Sequence, residues 1–167
     1  MRFLAHSLLV SLLTTPWVLV TLAQDYAIQT SQASYEVVIG EDSRRFLYVA
    51  IPSVFTNTSF DAVFLPGCHT TSTSLVRKQD DTWVMVYSPI HILMCNRPRK
   101  KLMPGASIDL EGEINACLPD QNCGPEFVGP IEGTFRLRLM VYTQPEEFYP
   151  APLESRVSNP FELRLAD

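Results

Sequence analysis

Apolar and polar residues alternate along short stretches of the chain from residue 34 onward. Clusters of Pro, Gly, Asn and Asp separate these stretches about every 8 to 15 residues, a spacing typical of turns between short strands. A period of two residues indicates a strand, whereas a helix repeats about every 3.6 residues. No part of residues 24–167 keeps the helical period for three turns. The pattern therefore predicts an all-β domain with at most one helical turn, at Pro145 to Tyr149.

The predicted strands are Ser34 to Ile39, Phe46 to Ile51, Asp61 to Leu65, Ser74 to Lys78, Trp83 to Tyr87, Ser107 to Glu113, Gly133 to Thr143 and Phe161 to Leu165. Turn-forming residues 40–42 should join the first two strands into a hairpin, and residues 79–81 should join the fourth and fifth. Pro104-Gly105 predicts a type II turn, because Pro fixes the first central residue and Gly takes positive φ at the second.

Two of these strands carry specific expectations for the core. Phe46 to Ile51 is apolar at nearly every position, which predicts a central strand that is covered on both faces or paired close to a second sheet. Trp83 has Met85 and Tyr87 at alternate positions, on the same face of a regular strand. This pattern favours a core position for the indole of Trp83 over an exposed one.

About seven strands separated by turns predict two packed antiparallel sheets. The fold class is therefore all-β, with an immunoglobulin-like sandwich as the interpretation and a small closed β-barrel as the alternative. The domain should cover residues 34–167, preceded by a short N-terminal extension at residues 24–33.

The first residues of the chain have the pattern of a secretory signal peptide. Arg2 precedes a mostly apolar stretch, and Thr21-Leu22-Ala23 ends it with small residues, which predicts cleavage between Ala23 and Gln24. An uncleaved membrane anchor is the alternative, because about 20 apolar residues can span a bilayer. The expected location is periplasmic or secreted, with no transmembrane segment after cleavage.

Four cysteines follow the signal peptide: Cys68, Cys95, Cys117 and Cys123. An even number in an exported chain predicts disulfides, with three possible connectivities. Pro119 and Asp120 favour a turn that pairs Cys117 with Cys123, which leaves Cys68 for Cys95. The alternative is a metal site that adds His69 and His91. Adjacent residues such as Cys68 and His69 point to opposite faces of a strand, so the interpretation is two disulfides, no metal and no cofactor.

Charge and motif content narrow the classes of function. The formal net charge of -5 argues against a nucleic-acid binder that relies on a basic field over the whole domain. The sequence lacks GxSxG, HExxH, P-loop and GxGxxG motifs. The chain is therefore predicted not to be an enzyme.

Two segments are candidate binding sites. The basic tract carries Arg97, Arg99, Lys100 and Lys101 within five residues, and could contact anionic lipid, a cell-wall polymer or an acidic partner. The alternative is that these charges only protect an edge strand from unwanted pairing. Phe148 and Tyr149 lie in a proline-rich loop, residues 144–153, whose stiffness would suit recognition.

Several short motifs together resemble a known group of proteins. They are Asn57-Thr58-Ser59, Cys68, the strand around Trp83, Cys95, Pro104-Gly105, Gly133-Thr134-Phe135-Arg136-Leu137 and Ser158-Asn159-Pro160-Phe161. This order resembles small exported Ig-like β-sandwich domains of uncharacterised bacterial envelope proteins. It is more loosely similar to the bacterial intracellular proteinase-inhibitor domain. The resemblance implies a β-sandwich and carries no active site.

The expected function is a non-catalytic interaction or structural module that contacts a protein, a glycan or an envelope surface through its loops. An extracytoplasmic proteinase inhibitor is the first alternative, and a metal-binding protein that uses His69 and His91 is the second. Asn57-Thr58-Ser59 would also accept an N-linked glycan in a eukaryotic host.

Overall fold

The computed structural model describes residues 27–40, 46–68, 73–89, 97–110, 112–119, 121, 123–146 and 149–166. This part of the chain contains twelve β-strands and one short 3-10 helix. The strands are β1 Ile28–Thr30, β2 Ser34–Ile39, β3 Phe46–Ala50, β4 Ser53–Thr56, β5 Val63–Leu65, β6 Thr73–Gln79, β7 Thr82–Tyr87, β8 Lys100–Leu102, β9 Ser107–Leu110, β10 Glu113–Cys117, β11 Gly133–Leu139 and β12 Phe161–Leu165, and the 3-10 helix is Leu153–Arg156.

The strands form three sheets. The largest has seven strands in the order β10-β3-β2-β12-β11-β6-β7 and curls into a half-barrel. A second sheet has the order β1-β4-β9, and a third pairs β5 with β8. Every pairing between these strands is antiparallel except that of β12 with β2, which is parallel. The all-β class and the sandwich architecture predicted from the sequence are thereby confirmed.

One hydrophobic core fills the space between the seven-stranded and three-stranded sheets. Leu47, Leu137 and Leu163 enter it from the large sheet, and Ile28 and Phe55 enter it from the small one. All five side chains are fully or almost fully buried. Because both sheets bury one face in this cluster, alternation along their strands follows directly from the packing.

The predicted hairpins are present. β2 pairs antiparallel with β3, with Val38 opposite Tyr48, although residues 41–45 of the connection lie outside the described part of the chain. β6 pairs antiparallel with β7 through a turn in which Asp80 has a φ of 51°. Gly105 has a φ of 75°, as the second central residue of a type II turn requires.

One predicted strand is divided at a corner between sheets. The expected strand Ser107 to Glu113 is in fact β9 and β10, which belong to different sheets and are separated at Gly112. Opposite this point the chain passes from β3 to β4 at Ile51-Pro52. Ile51 donates its backbone N–H to the carbonyl of Gly112 at 2.7 Å. A Cβ on Gly112 would overlap the carbonyl of Ile51, so only glycine fits at this corner.

The expectation that Phe46 to Ile51 is covered on both faces is wrong. Leu47, Val49 and Ile51 are buried, whereas Tyr48 and Ala50 are exposed. The outward face of β3 therefore contacts solvent although its residues are apolar. An exposed apolar residue on a sheet is common, which is why composition alone overestimated the burial of this strand.

The predicted core position of Trp83 is also wrong. Trp83 is half-buried and lies outside the core cluster, while Met85 is exposed and Tyr87 is buried. The register between β6 and β7 shifts between Leu75 and Val76, which are opposite Tyr87 and Met85 respectively. This β-bulge interrupts the alternation, so Trp83 and Met85 do not share the inward face of Tyr87.

The segment predicted as an N-terminal extension contributes to the domain where it is described. β1 pairs with β4, and Ile28 is completely buried in the core. Asn159 holds the other side of β1, because its Oδ1 accepts the N–H of Thr30 and its Nδ2 donates to the Thr30 hydroxyl. The first part of the extension, the signal peptide and its expected cleavage site at Ala23 and Gln24 lie outside the described residues.

The described part of the chain confirms one of the two predicted disulfides. Cys117 and Cys123 are bonded, with Cα atoms 6.1 Å apart. Cys68 is disulfide-bonded as well, but Cys95, its predicted partner, lies outside the described residues. The low helix content is also as expected. The described helical turn is Leu153–Arg156, whereas the turn predicted at Pro145 to Tyr149 includes residues 147 and 148, which lie outside the described part of the chain. No described helix has the length and apolar character to span a bilayer.

Candidate functional site

The basic tract forms the start of an edge strand. Lys100 and Lys101 lie in β8, which pairs with β5 along one side, and Arg97, Lys100 and Lys101 are exposed. The interpretation of this tract as protection for an edge strand thus has a structural basis, because among the described residues β8 pairs only with β5. The two roles are compatible, since exposed charges that discourage pairing also remain accessible to a partner.

The backbone around Gly67 fixes where the tract begins. A Cβ on Gly67 would overlap the carbonyl oxygens of Arg97 and Pro98. Gly67, two residues after the end of β5, thus packs directly against the first residues of the tract. Because this contact involves backbone atoms, it positions the tract independently of its side chains.

Arg99 connects the basic tract to the proline-rich loop. Its guanidinium carbon lies 3.5 Å from the centroid of the Tyr142 ring. Its Nη1 donates a hydrogen bond of 3.0 Å to the carbonyl of Gln144. A guanidinium over an aromatic face is an attractive arrangement, and here it joins the two segments that the sequence identified as separate binding candidates.

The loop itself is closed at its base. Ala151 donates its N–H to the carbonyl of Val141 at 2.7 Å, and Tyr142 exchanges two backbone hydrogen bonds with Phe64 of β5. Arg156 adds a hydrogen bond of 2.8 Å from its Nε to the carbonyl of Ala151. These contacts fix both ends of the loop on the framework, and a fixed loop loses little entropy when it binds a partner.

Aromatic side chains stand exposed at this end of the molecule. Tyr149 is 81% exposed, and Phe60, in the connection from β4 to β5, is 100% exposed. Phe148, the other aromatic residue of the predicted site, lies outside the described residues. Phe60 was missed by the sequence analysis because a single apolar residue in a polar connection has no periodic pattern. We define the basic-aromatic surface as the tract 97–101 together with residues 142–152, which comprise Tyr142, Thr143 and the proline-rich loop up to the 3-10 helix.

A groove of about 630 Å³ lies next to the loop of this surface. One wall comes from residues 57–63, and the other includes Gln144, Ala151 and Pro152. Gln144 therefore lines the groove and also accepts the hydrogen bond from Arg99. The groove and the basic tract are connected through this one residue.

Asn57 holds the wall of the groove in place. It is only 2% exposed, and its Nδ2 donates to the carbonyls of Asp61 and Leu102 at 2.9 and 3.1 Å. Its Oδ1 accepts bonds from the backbone N–H and the hydroxyl of Ser59. The nitrogen that would carry an N-linked glycan is thus buried and used twice, so the Asn57-Thr58-Ser59 motif has a structural role in this fold.

The metal alternative has no further support in the described part of the chain. His69 and His91 lie outside it, and its residues include no group of three or more His, Cys, Asp or Glu side chains placed to hold a metal ion.

Comparison with known proteins found no matching family model, curated protein or solved structure. The chemistry of the basic-aromatic surface is therefore the basis for assigning a function.

Proposed function

We propose that this protein is an exported, non-catalytic binding module that attaches to an anionic component of the cell envelope through its basic-aromatic surface. The observation that carries this proposal is the contact of Arg99 with both Tyr142 and Gln144, which combines the cationic tract and the exposed loop into one surface. The disulfide between Cys117 and Cys123 is typical of proteins in an oxidising compartment outside the cytoplasm. The signal-peptide pattern at the start of the sequence is consistent with the same location.

Charge supplies the first part of the expected affinity. Arg97, Lys100 and Lys101 are exposed on a protein whose formal net charge is -5, so the tract is a local cationic region in an acidic molecule. Each Lys or Arg near an anionic membrane surface contributes about 1 kcal/mol to binding. Three such charges correspond to about 3 kcal/mol, or roughly a hundredfold in affinity.

The aromatic residues supply the second part. An amphipathic ring such as that of Tyr149 prefers the interface between headgroups and water, because its apolar body and polar tip are both accommodated there. The stiff loop presents this ring without a large loss of entropy on contact. Added salt is therefore expected to weaken the binding without abolishing it, because the charges contribute only part of the affinity and the exposed ring contributes the rest.

Binding to vesicles of defined charge tests the proposal. The variant replaces Arg97, Lys100 and Lys101 with Gln and keeps Arg99, which has a structural role. We expect the wild-type protein to bind vesicles of phosphatidylglycerol and phosphatidylcholine, and the variant to bind them about a hundredfold more weakly. The control replaces Lys78 and Arg164, which are exposed elsewhere on the domain, with Gln, and it is compared with a variant of equal net charge in which only Lys100 and Lys101 become Gln.

Different outcomes separate the sources of negative charge. Binding to purified anionic cell-wall polymer, with no binding to the vesicles, would support the surface and identify a polymer as its partner. Equal binding by the variant and the wild type to both materials would contradict the proposal. The control variant should behave as the wild type, which would show that the position of the charge matters and not its total.

A proteinase inhibitor is a second candidate, favoured by the closed base of the loop. An inhibitor of this kind needs a rigid segment that can enter a protease cleft. The loop has two features that would make it rigid: the hydrogen bond from Ala151 to Val141 and the prolines at 145, 150 and 152. A panel of extracellular proteases assayed with the purified protein distinguishes the two candidates. Inhibition that is lost when Tyr149 is changed to Gly would favour the inhibitor.

A further inference from the structure

The outer face of the large sheet carries a second cationic site, distinct from the basic-aromatic surface. Here β6, β7 and β11 lie side by side, and residues of the segment that contains the 3-10 helix line a pocket with them. Val157 in this segment forms a backbone bridge with Arg138 of β11. A pocket of about 210 Å³ remains between the sheet and the segment.

Arginine side chains define the floor of this pocket. Arg136 and Arg138 both line it, because residues two apart on a strand share a face. Arg156, which is only 9% exposed, lies close enough to Arg138 for their charges to repel. Among the residues that the structure describes, the buried Nε of Arg138 and Nη1 of Arg156 have no hydrogen-bond partner. Buried cationic groups that lack a full set of partners are costly, and a negative charge in the pocket that Arg138 lines would reduce this cost.

The electrostatics of Arg138 and Arg156 also favour a negative charge nearby. Burial lowers the pKa of Arg138. Burial also lowers the pKa of Arg156, and repulsion from Arg138 lowers it further, while Tyr142 and Glu154 partly oppose the effect. A bound anion next to Arg138, which lines the pocket, would offset the repulsion between Arg138 and Arg156. Glu154 is the one acidic residue among the described residues that line the pocket, and it is exposed at the edge.

The other walls of the pocket are apolar. Trp83, Val76 and Leu153 line it together with Val157, and the guanidinium carbon of Arg136 lies 4.4 Å from the centroid of a Trp83 ring. The Arg138 side chain makes a weak polar contact with Met85, in which Nη2 donates to the sulfur at 3.7 Å. A ligand that fits must therefore combine a negative group with an apolar body that lies against these side chains.

The volume limits the size of that body. Sites for drug-sized ligands usually have volumes of about 300 to 1,000 Å³. A pocket of about 210 Å³ admits a compact molecule with one ring or a short chain, and it is too small for a nucleotide or a lipid. A guanidinium fork is suited to both oxygens of a carboxylate or phosphate.

We propose that the pocket between β6, β7, β11 and residues 153–157 binds a small organic anion, a carboxylate or phosphate carried on a single ring or short apolar chain. The negative group contacts Arg138 and Arg136, and the apolar body lies between Trp83 and Leu153. This site goes beyond the proposed envelope contact and does not depend on it.

Binding of benzoate and phenyl phosphate to the full-length chain tests this proposal. A Trp17→Phe background leaves Trp83 as the only tryptophan, so its emission reports on the pocket. Ionic strength is kept constant with sodium chloride, and benzyl alcohol serves as the uncharged analogue. Saturation-transfer NMR measures binding independently of the fluorescence. We expect saturable binding of at least one of the two anions, with a change in Trp83 emission, and no comparable binding of benzyl alcohol.

Variants localise the bound anion. Arg138→Gln is expected to raise the Kd at least about tenfold, because it removes a charge-assisted hydrogen bond, and Arg138→Lys should recover part of the loss. Glu154→Gln, a change at an exposed position that leaves the fold intact, should lower the Kd because it removes a nearby negative charge. Arg164→Gln, on the exposed end of β12, is the control and should leave the Kd unchanged.

The preferred headgroup follows from which anion binds more tightly. Tighter binding of benzoate assigns a carboxylate, and tighter binding of phenyl phosphate assigns a phosphate. The proposal is overturned if neither anion binds saturably, if benzyl alcohol binds as tightly as benzoate, or if Glu154→Gln leaves the Kd of both anions unchanged. The triple change of Arg97, Lys100 and Lys101 to Gln should not affect this pocket, which separates its failure from that of the envelope contact.

Discussion

The guanidinium of Arg99 lies 3.5 Å above the ring of Tyr142, and this contact holds the basic tract against the closed loop. Arg99 also donates to the carbonyl of Gln144, so one side chain fixes two positions of the loop. A partner that meets this end of the domain therefore meets a prearranged surface. The contact itself can be tested by substitution.

Arg99→Met is expected to lower the free energy of unfolding by about 1 to 2 kcal/mol, through the loss of a cation-π contact and one hydrogen bond. Arg99→Lys should cost less, because it keeps the charge but loses the planar group. Urea denaturation measures both. In a double-mutant cycle with Tyr142→Leu, we expect a coupling energy of about 0.5 to 1 kcal/mol. Strict additivity of the two substitutions would show that the ring and the guanidinium do not interact.

Asn57→Ala should destabilise the protein by about 2 to 3 kcal/mol, since it removes the Asn57 partner of the Leu102 carbonyl and of the Ser59 N–H and leaves the Asp61 carbonyl with only the Ser59 hydroxyl. Asn57→Asp should be at least as severe, because it places a carboxylate against two carbonyl oxygens. Thr58→Ala, at the exposed neighbouring position, is the control and should change the stability little. Efficient glycosylation of Asn57 with retention of a native melting temperature would contradict the structural role assigned to its amide.

Gly112→Ala should destabilise the domain more than Gly105→Ala. A Cβ at Gly112 would overlap the carbonyl of Ile51, at the corner where the chain passes between sheets. At Gly105 the added Cβ meets open space, so only the positive φ carries a cost, of about 1 kcal/mol. Midpoints of urea unfolding measure both changes. If the two variants were equally stable, the close approach of Gly112 to Ile51 would not limit this position.

Trp83→Ala should cost much less than the 3 to 5 kcal/mol that is typical of a buried tryptophan or phenylalanine. The reason is that the indole lies outside the core cluster and is only half-buried. Phe127→Ala provides the comparison, because its side chain is completely buried. Thermal and chemical unfolding of the two variants should differ by about 2 kcal/mol. Equal losses of stability in the two variants would indicate that Trp83 is a core residue, as the sequence predicted.

The sequence predicted those strands whose side chains alternate between core and solvent. In β11, Phe135, Leu137 and Leu139 are buried, as their spacing indicates, and β12 follows the same rule at Phe161 and Leu163. The strands that were missed, such as β1 and β8, have only three residues each, too few to establish a period.

The errors in the prediction have physical causes that a period of two cannot reveal. The strand expected at Ser107 to Glu113 is divided at Gly112, where the chain changes sheets. The bulge opposite Leu75 and Val76 changes the face on which Trp83 lies. Both features depend on contacts with a neighbouring strand, so the local sequence does not encode them in a recognisable form.

The segments of the candidate site could be predicted from the sequence, but the contacts that bring them together could not. The charges of Arg97, Lys100 and Lys101 and the stiff loop were evident as sequence features. Their connection depends on the pairing of β5 with β8 and on the bridge from Phe64 to Tyr142, which place Arg99 against the loop. The arginine pocket was missed because Arg136 and Arg138 have the spacing of an ordinary exposed strand face.

Amide hydrogen exchange in the presence and absence of phosphatidylglycerol vesicles tests the central claim most directly, because it locates the contact on the molecule. We expect added protection of the amides in residues 97–102 and 142–152, with the amides of β2 and β10 unaffected. Protection centred on another face of the domain, or no protection at concentrations where the protein sediments with the vesicles, would contradict the assignment of the basic-aromatic surface as the binding site.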